Sequence, residues 1–254
     1  MHFYITGDTH RDFERIEQFC EENGTTVGDV MIILGDAGIN YYCGGSDRDV
    51  KARLARLNIT LFCVHGNHEE RPWLAADYDE LVWNEGIVYV EEQYPNILFA
   101  KDGEIYNFHG KKVMPLGGAY SVDKYYRLRH GLQWFESEQP DEDIKAYVEA
   151  QLDKVNWSID VVLSHTVPIE AEPVWAFTPG LDQSTVDKST EKWLQHIHDN
   201  LDFSEWYAGH YHVESEECGY ESCLKIMMKS ARKNNGKDKE NNQYRRFSGK
   251  TLRY

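Results

Sequence analysis

Seven side chains able to hold a cation recur at the ends of short apolar runs. Phe3-Tyr4-Ile5-Thr6-Gly7-Asp8-Thr9-His10 and Val30-Met31-Ile32-Ile33-Leu34-Gly35-Asp36 each close on Gly-Asp. Leu61-Phe62-Cys63-Val64-His65-Gly66-Asn67-His68-Glu69 closes on Gly-Asn-His-Glu, Asp160-Val161-Val162-Leu163-Ser164-His165 on a single imidazole, and Trp206-Tyr207-Ala208-Gly209-His210-Tyr211-His212 on a pair. An apolar run that stops at a polar turn reads as a buried strand delivering its last side chains to a loop. The five turns collect Asp8, His10, Asp36, Asn67, His165, His210 and His212. Carboxylate, amide and imidazole donors suit Mn, Fe, Zn or Ni, whereas a thiolate set would point to structural zinc. Asp8 with His10, and His210 with His212, stand two residues apart, so in extended chain each pair projects to one side and can grip one ion. Seven ligands exceed the shell of one ion and suit two, provided one carboxylate is shared.

The elements that must position these turns follow from periodicity. Strands are expected at 2–6, 30–34 and 59–64. Between them lie a helix with Phe13, Ile16, Phe19 and Cys20 on one face, ended by Asn23-Gly24, and a second helix starting near Ser46 or Asp47 with Val50, Leu54 and Leu57 inward. That alternation predicts crossover units and a mainly parallel sheet. Residues 87–116 break into short runs separated by turn residues and predict an antiparallel meander. Residues 124–140 read as a loop crowded with Tyr, Arg and Trp. A helix over 141–155, a strand over 160–163, a helix through 191–197 and a last strand over 223–228 complete the expectation.

The bulk properties exclude several classes. No repeat divides the 254 residues, so one domain is expected over 1–228, followed by a flexible basic polar tail over 229–254. Formal charge is −16; residues 224–254 carry ten Lys and Arg against two acids, a local +8, which leaves −24 on residues 1–223. So acidic a body argues against a general nucleic-acid binder, although the tail could grip a polyanion. No apolar run approaches the roughly 20 residues of a membrane span, and no secretory leader is expected at the start. Five cysteines without a C-x-x-C pair read as reduced thiols, which places the protein in the cytoplasm.

Taken in order, Gly-Asp-Thr-His, Gly-Asp-Ala, Gly-Asn-His-Glu, Ser-His and Gly-His-Tyr-His resemble the calcineurin-like binuclear metallophosphoesterase superfamily across residues 7–212. The resemblance implies an α/β fold of two stacked mixed β-sheets flanked by helices, a four-layer αββα sandwich. It implies two divalent ions, manganese foremost, with Asp8, His10 and His212 on one, Asn67, His165 and His210 on the other, and Asp36 bridging. Such ions stand roughly 3.5–4 Å apart and lower the pKa of a shared water, which attacks phosphorus in line. His68 would sit beyond them, protonating the leaving oxygen or steadying the phosphoryl charge. The implied activity is hydrolysis of phosphomonoesters or phosphodiesters of a small molecule or nucleotide.

One departure narrows this. The protein phosphatases of the superfamily place Asp-Arg-Gly after the second Gly-Asp, and the arginine clamps phosphate. Here the residues are Asp36-Ala37-Gly38-Ile39-Asn40, so a serine/threonine-type protein phosphatase is disfavoured. Arg48, Arg71, Arg127 or Arg129 can replace that clamp, and Arg127 and Arg71 lie nearest the motif ends. A nuclease-like phosphodiesterase, gripping a strand with the basic tail and the aromatics of 125–134, is the alternative. A non-catalytic scaffold is disfavoured because every ligand position is filled. His65 reads as a packing or supporting residue. Oligomeric state, and monoester against diester, stay open.

Overall fold

The computed structural model describes residues 1–75, 77–177, 182–218, 223–227 and 245–246. β1 (Phe3–Thr6), β2 (Val30–Ile33) and β3 (Thr60–Cys63) pair in parallel. β4 (Asp79–Trp83), β5 (Gly86–Val90) and β6 (Ile97–Ala100) form an antiparallel meander whose last strand lies parallel beside β3. The second sheet contains β7 (Tyr106–Phe108), β8 (Lys111–Leu116), β9 (Val161–Ser164), β10 (Glu205–Ala208), β11 (Ser215–Cys218) and β12 (Cys223–Ile226), in the order β11-β12-β10-β9-β8-β7. In it, β8, β9, β10 and β12 run parallel.

Alternation along the strands sets the layers. On β2, Val30 and Ile32 face the core between the sheets, while Met31 and Ile33 face the helices. α1 (Glu14–Asn23) and α2 (Gly45–Leu54) cover the first sheet through Ile16, Phe19 and Leu54. A single turn, α3 (Pro72–Ala75), follows β3. α5 (Glu142–Lys154) and α6 (Ser189–Asn200) cover the second sheet through Val148, Leu152, Leu194 and Ile197. Between the sheets, Phe3 stacks on Phe108 at 4.2 Å and Phe62 meets Tyr106 edge-on at 5.0 Å. Each such fully buried aromatic contributes about 1.5–3 kcal/mol over its exposed state, so this ring cluster fixes how one sheet sits on the other.

The expected strands and four-layer plan are present. Four expectations change. Residues 124–130 form a helix, α4 (Lys124–His130), with no buried residue; it is closed by Gly131 in the left-handed region and braced by an Arg127–Asp123 ion pair one turn apart. The meander over 87–116 is split, because Tyr106 and Phe108 turn to Phe62 and Phe3 and so open the second sheet rather than extending the first. β4 lies outside the expected range. Cys20, Cys43 and Cys63 are free thiols, but Cys223 is disulfide-bonded.

The tail over 229–254 lies outside the described residues except for β13 (Arg245–Arg246), whose backbone pairs antiparallel with Ile5 and Tyr4 of β1. Among the described residues, no helix is long and apolar enough to cross a membrane.

Candidate metal centre

The turns after β1, β2, β3, β9 and β10 meet at one edge of the sandwich and are laced together by backbone. Thr9 N and His10 N donate to Asp36 O at 3.2 and 2.8 Å, and Gly209 N donates to His165 O at 2.9 Å. Two glycines exist for this closeness: a Cβ on Gly35 would stand 2.0 Å from His165 Nδ1, and one on Gly66 would stand 2.1 Å from Asp36 N. His10, Asp36, His210 and His212 have φ of 45°, 49°, 69° and 56°. Left-handed backbone costs a non-glycine residue roughly 1–2 kcal/mol, and Asp and His are among the types that enter it most readily.

The donors converge. His212 Nε2 lies 3.1 Å from Asp8 Oδ2 and 3.1 Å from His10 Nε2. His10 Nε2 is 3.5 Å from Asp8 Oδ2 and 3.6 Å from Asp36 Oδ2. His165 Nε2 is 2.8 Å from Asn67 Oδ1 and 3.6 Å from Asp36 Oδ1. Two groups can each surround a cation, Asp8–His10–His212 and Asp8–Asp36–His165, and Asp36 stands between the flanking histidines of both. His210 N donates to Asp8 Oδ1 at 2.8 Å, with its ring 5.0 Å from that of His165. His68 N donates to Asp36 Oδ1 at 2.7 Å, while its Nε2 stays 4.0 Å from Asp36 Oδ2.

Electrostatics prepare these groups for a cation. Burial pushes both carboxyls up, yet hydrogen bonds from His10 and His212 hold Asp8 well below the usual range, and the His165 and His68 charges hold Asp36 below it. Desolvation pushes His210 down to about 3 and also lowers His68, against the raising effect of the Asp36 carboxylate on both. One contact tests the fit directly. His165 Nδ1 lies 2.8 Å from Leu34 O, which can only accept, so Nδ1 carries the hydrogen. Nε2 is then the ring atom turned to Asn67 Oδ1 at 2.8 Å and Asp36 Oδ1 at 3.6 Å, a nitrogen and two oxygens placed as a divalent ion requires.

The two expected arginines part company. Arg127 reaches the rim: Nε pairs with both Asp123 oxygens at 2.8 Å, Nη1 donates to Tyr41 Oη at 3.2 Å, and Nη2 lies 3.5 Å from His68 Nε2. Arg71 does not join the cluster. It is buried, with Nη1 on Asp102 Oδ2 at 2.7 Å and Nε on Ser137 O at 3.1 Å, so its charge is neutralised inside the protein. His65 is buried beside it, Nε2 3.3 Å from the same Ser137 carbonyl. Trp134, expected as a stacking surface, donates to Glu138 Oε2 at 2.8 Å and carries the Lys124 ammonium 4.0 Å over its ring.

Sequence reasoning missed three supports. Glu69 is fully buried and accepts from Gly66 N at 3.1 Å and Gly38 N at 3.2 Å, tying two motif turns together; burial and the Asp36 charge raise it to about 8. Tyr211, between the paired histidines, anchors their turn through Thr166 Oγ1 at 3.2 Å and Glu172 Oε1 at 3.3 Å. Ser121 Oγ accepts from Asn67 Nδ2 at 2.8 Å. Only Glu69 left a signal, as an acid directly after Asn-His in a block otherwise read as buried.

The calcineurin-like phosphoesterase family matches residues 1–214. The chain belongs to that family. Members are metal-dependent phosphoesterases, and the convergent donors here fit that dependence. Among solved structures, TT1561 of Thermus thermophilus is similar at 13% identity with a TM-score of 0.52, covering 90% of this chain and 89% of that one; the likeness is one of fold. A phosphopantetheinyl hydrolase from Mycobacterium tuberculosis aligns at 12% identity and a TM-score of 0.49 over 89% of each chain. No curated protein matches the chain.

Proposed function

We propose that this phosphoesterase is binuclear and hydrolyses phosphomonoesters or phosphodiesters of a small molecule or nucleotide, with manganese the favoured ion. Asp8, His10 and His212 hold one ion, Asn67, His165 and His210 the other, and Asp36 bridges. The observation that carries this reading is the convergence of His165 Nε2 on Asn67 Oδ1 at 2.8 Å and on Asp36 Oδ1 at 3.6 Å, with Nδ1 of the same ring turned away to Leu34 O. Bound divalent ions supply Lewis acidity toward phosphoryl oxygen and lower the pKa of water.

The chain's own groups do the rest. His68 stands next to Asp36 without competing as a ligand, since its backbone N–H rather than its ring contacts the carboxylate, and it serves the leaving oxygen as proton donor or charge partner. Arg127 takes the phosphoryl oxygens on Nη2, presented by the fixed contacts of Nε and Nη1. Pairing of Trp134 with Glu138 and Lys124 removes one aromatic platform from a nucleic-acid reading.

The test is hydrolysis of p-nitrophenyl phosphate and of bis-p-nitrophenyl phosphate by metal-stripped protein resupplied with Mn, Fe, Zn, Ni or Mg. The expected outcome is metal-dependent turnover that collapses in Asp36→Asn, with the ratio of the two substrates assigning monoester or diester. A parent protein that takes up no divalent ion would refute the proposal.

A further inference from the structure

Arg127 meets the rim of the metal centre with one end only. Its Nε donates to both oxygens of Asp123 at 2.8 Å, and its Nη1 donates to Tyr41 Oη at 3.2 Å and to the Gln133 carbonyl at 3.1 Å. A guanidinium carries five N–H groups and no acceptor, so three are spent on these contacts and the two on Nη2 are left. Nη2 lies 3.5 Å from His68 Nε2, which itself stands 4.0 Å from Asp36 Oδ2. Among the described residues, the polar partners of Arg127 are Asp123, Tyr41, Gln133 and His68, none of them a proposed metal ligand.

Three elements hold the guanidinium in this pose. Tyr41 belongs to the loop that follows Asp36 and Gln133 to the segment after α4, and Gln133 Nε2 donates to Tyr41 O at 3.4 Å. The Tyr41 ring meets buried Phe135 edge-on at 6.2 Å and Tyr42 at 4.8 Å. The Asp123 side chain is 42% exposed and that of Arg127 15%, so water screens the carboxylate more than the guanidinium, and the ion pair leaves positive charge on the Nη2 edge.

That edge separates two classes of substrate. In-line displacement leaves three oxygens around phosphorus besides the attacking and leaving ones. In a phosphomonoester all three are unsubstituted and share nearly two negative charges at pH 7, because the second pKa is about 6. In a diester one of the three carries the second ester group, and the phosphate holds a single charge. Since Arg127 touches no metal ligand, the oxygen that meets Nη2 beside His68 is one that the proposed ions leave free. Nη2 offers it a cation and two N–H groups, which suit a charged oxygen and are poorly used by a substituted one. The second ester group of a diester would also have to lie against the Arg127–Tyr41–Gln133 contacts.

We propose that the centre selects phosphomonoesters over diesters, that Arg127 reads the third charged oxygen, and that Tyr41 is a positioning residue holding the Nη2 edge toward it. The inference rests on the phosphoesterase reading above and narrows its substrate class.

Calorimetry tests it, by titrating inorganic phosphate and dimethyl phosphate into the Mn2+-loaded parent, Arg127→Ala, Tyr41→Phe and the double variant, with urea midpoints recorded alongside. A hydrogen bond to a charged group is worth about 10–100-fold in affinity and a neutral one about fivefold. The parent should bind phosphate about tenfold or more tighter than dimethyl phosphate. Arg127→Ala should lose about tenfold or more for phosphate but under about threefold for dimethyl phosphate, and Tyr41→Phe about three- to tenfold for phosphate, with KM for p-nitrophenyl phosphate rising in proportion. With Arg127 gone Tyr41 has nothing to position, so the double variant should lose no more than about twofold beyond Arg127→Ala, a non-additivity that general loosening would not produce. A parent that binds both anions within about twofold, or an Arg127→Ala that loses both equally, would overturn the monoester selection while leaving the phosphoesterase reading intact. Tyr41→Phe indistinguishable from the parent, or its full loss repeated in the double variant, would overturn the role of Tyr41. A parent chain that takes up no divalent ion would overturn the metal centre and the selection together.

Discussion

Replacing Gly66 with alanine puts one methyl group where the turn after β3 touches the turn after β2. The new carbon would stand 2.1 Å from Asp36 N, 2.2 Å from Asp36 Oδ1 and 2.8 Å from Asp36 Cα. Ordinary contact begins near 3.4 Å, so the Asp36 backbone must retreat by about 1.3 Å, and it cannot do so alone because its carbonyl binds Thr9 N and His10 N. The push therefore reaches Asp8 and His10 as well. Overpacking of this kind costs about 1–3 kcal/mol of stability. The chemical penalty is steeper, since a misplacement of about 1 Å can cost roughly 100-fold in rate. Expected for Gly66→Ala are a urea midpoint lowered in proportion, weakened Mn2+ binding and a turnover loss of about 100-fold. Gly45→Ala is the matched control: its Cβ would meet nothing closer than 3.7 Å at the start of α2, and stability should hold or rise by up to about 1 kcal/mol. Gly66→Ala with turnover within about threefold of the parent and unchanged metal affinity would refute the reasoning.

Three further outcomes can be measured. Asp29 is pushed up by burial, but hydrogen bonds from Thr26 N and His2 N, at 3.0 and 2.8 Å, bring it below its usual value. A carboxyl with a lowered folded pKa stabilises above its unfolded value and loses that stabilisation as pH falls through the folded one. Asp29→Asn should therefore lose about 1–2 kcal/mol at pH 7, with the gap to the parent closing below about pH 4 in a urea series. Arg127→Ala should raise KM about tenfold or more for a phosphomonoester with little change in urea midpoint, because the side chain sits at the rim; an unchanged KM would remove Arg127 from the substrate. Stripping the metal from protein held at 100 times the dissociation constant should cost about 2.7 kcal/mol. For a chain of this size that lowers the melting temperature by roughly 5–10 °C, and no shift on chelation would mean that no ion is held.

The strand ends were legible because a short apolar run closing on Gly and a polar residue is what a buried strand feeding a loop requires, and all five turns do meet. α4 was not, because recognition of a helix relies on an apolar stripe and Tyr125, Tyr126 and Leu128 all face water. β4 escaped for the same reason, Asp79–Val82 being exposed at a sheet edge. The split of the meander is a non-local fact: which sheet Tyr106 joins is decided by Phe62, 44 residues earlier, and nothing in 87–116 records it. Arg71 shows the same limit for a side chain. Its position after Asn67-His68-Glu69 suggests a clamp, but Asp102, 31 residues on, captures the guanidinium.

The contact between His210 N and Asp8 Oδ1 spans 202 residues of chain. During synthesis the first sheet can present Asp8, His10, Asp36 and Asn67 long before His165, His210 and His212 leave the ribosome. The proposed ligand shells close only when the second sheet has docked on the rings of Phe3 and Phe62. An ion held there then acts as a rivet between two halves made at different times, and metal uptake becomes a report that the whole sandwich, rather than its first half, has been assembled.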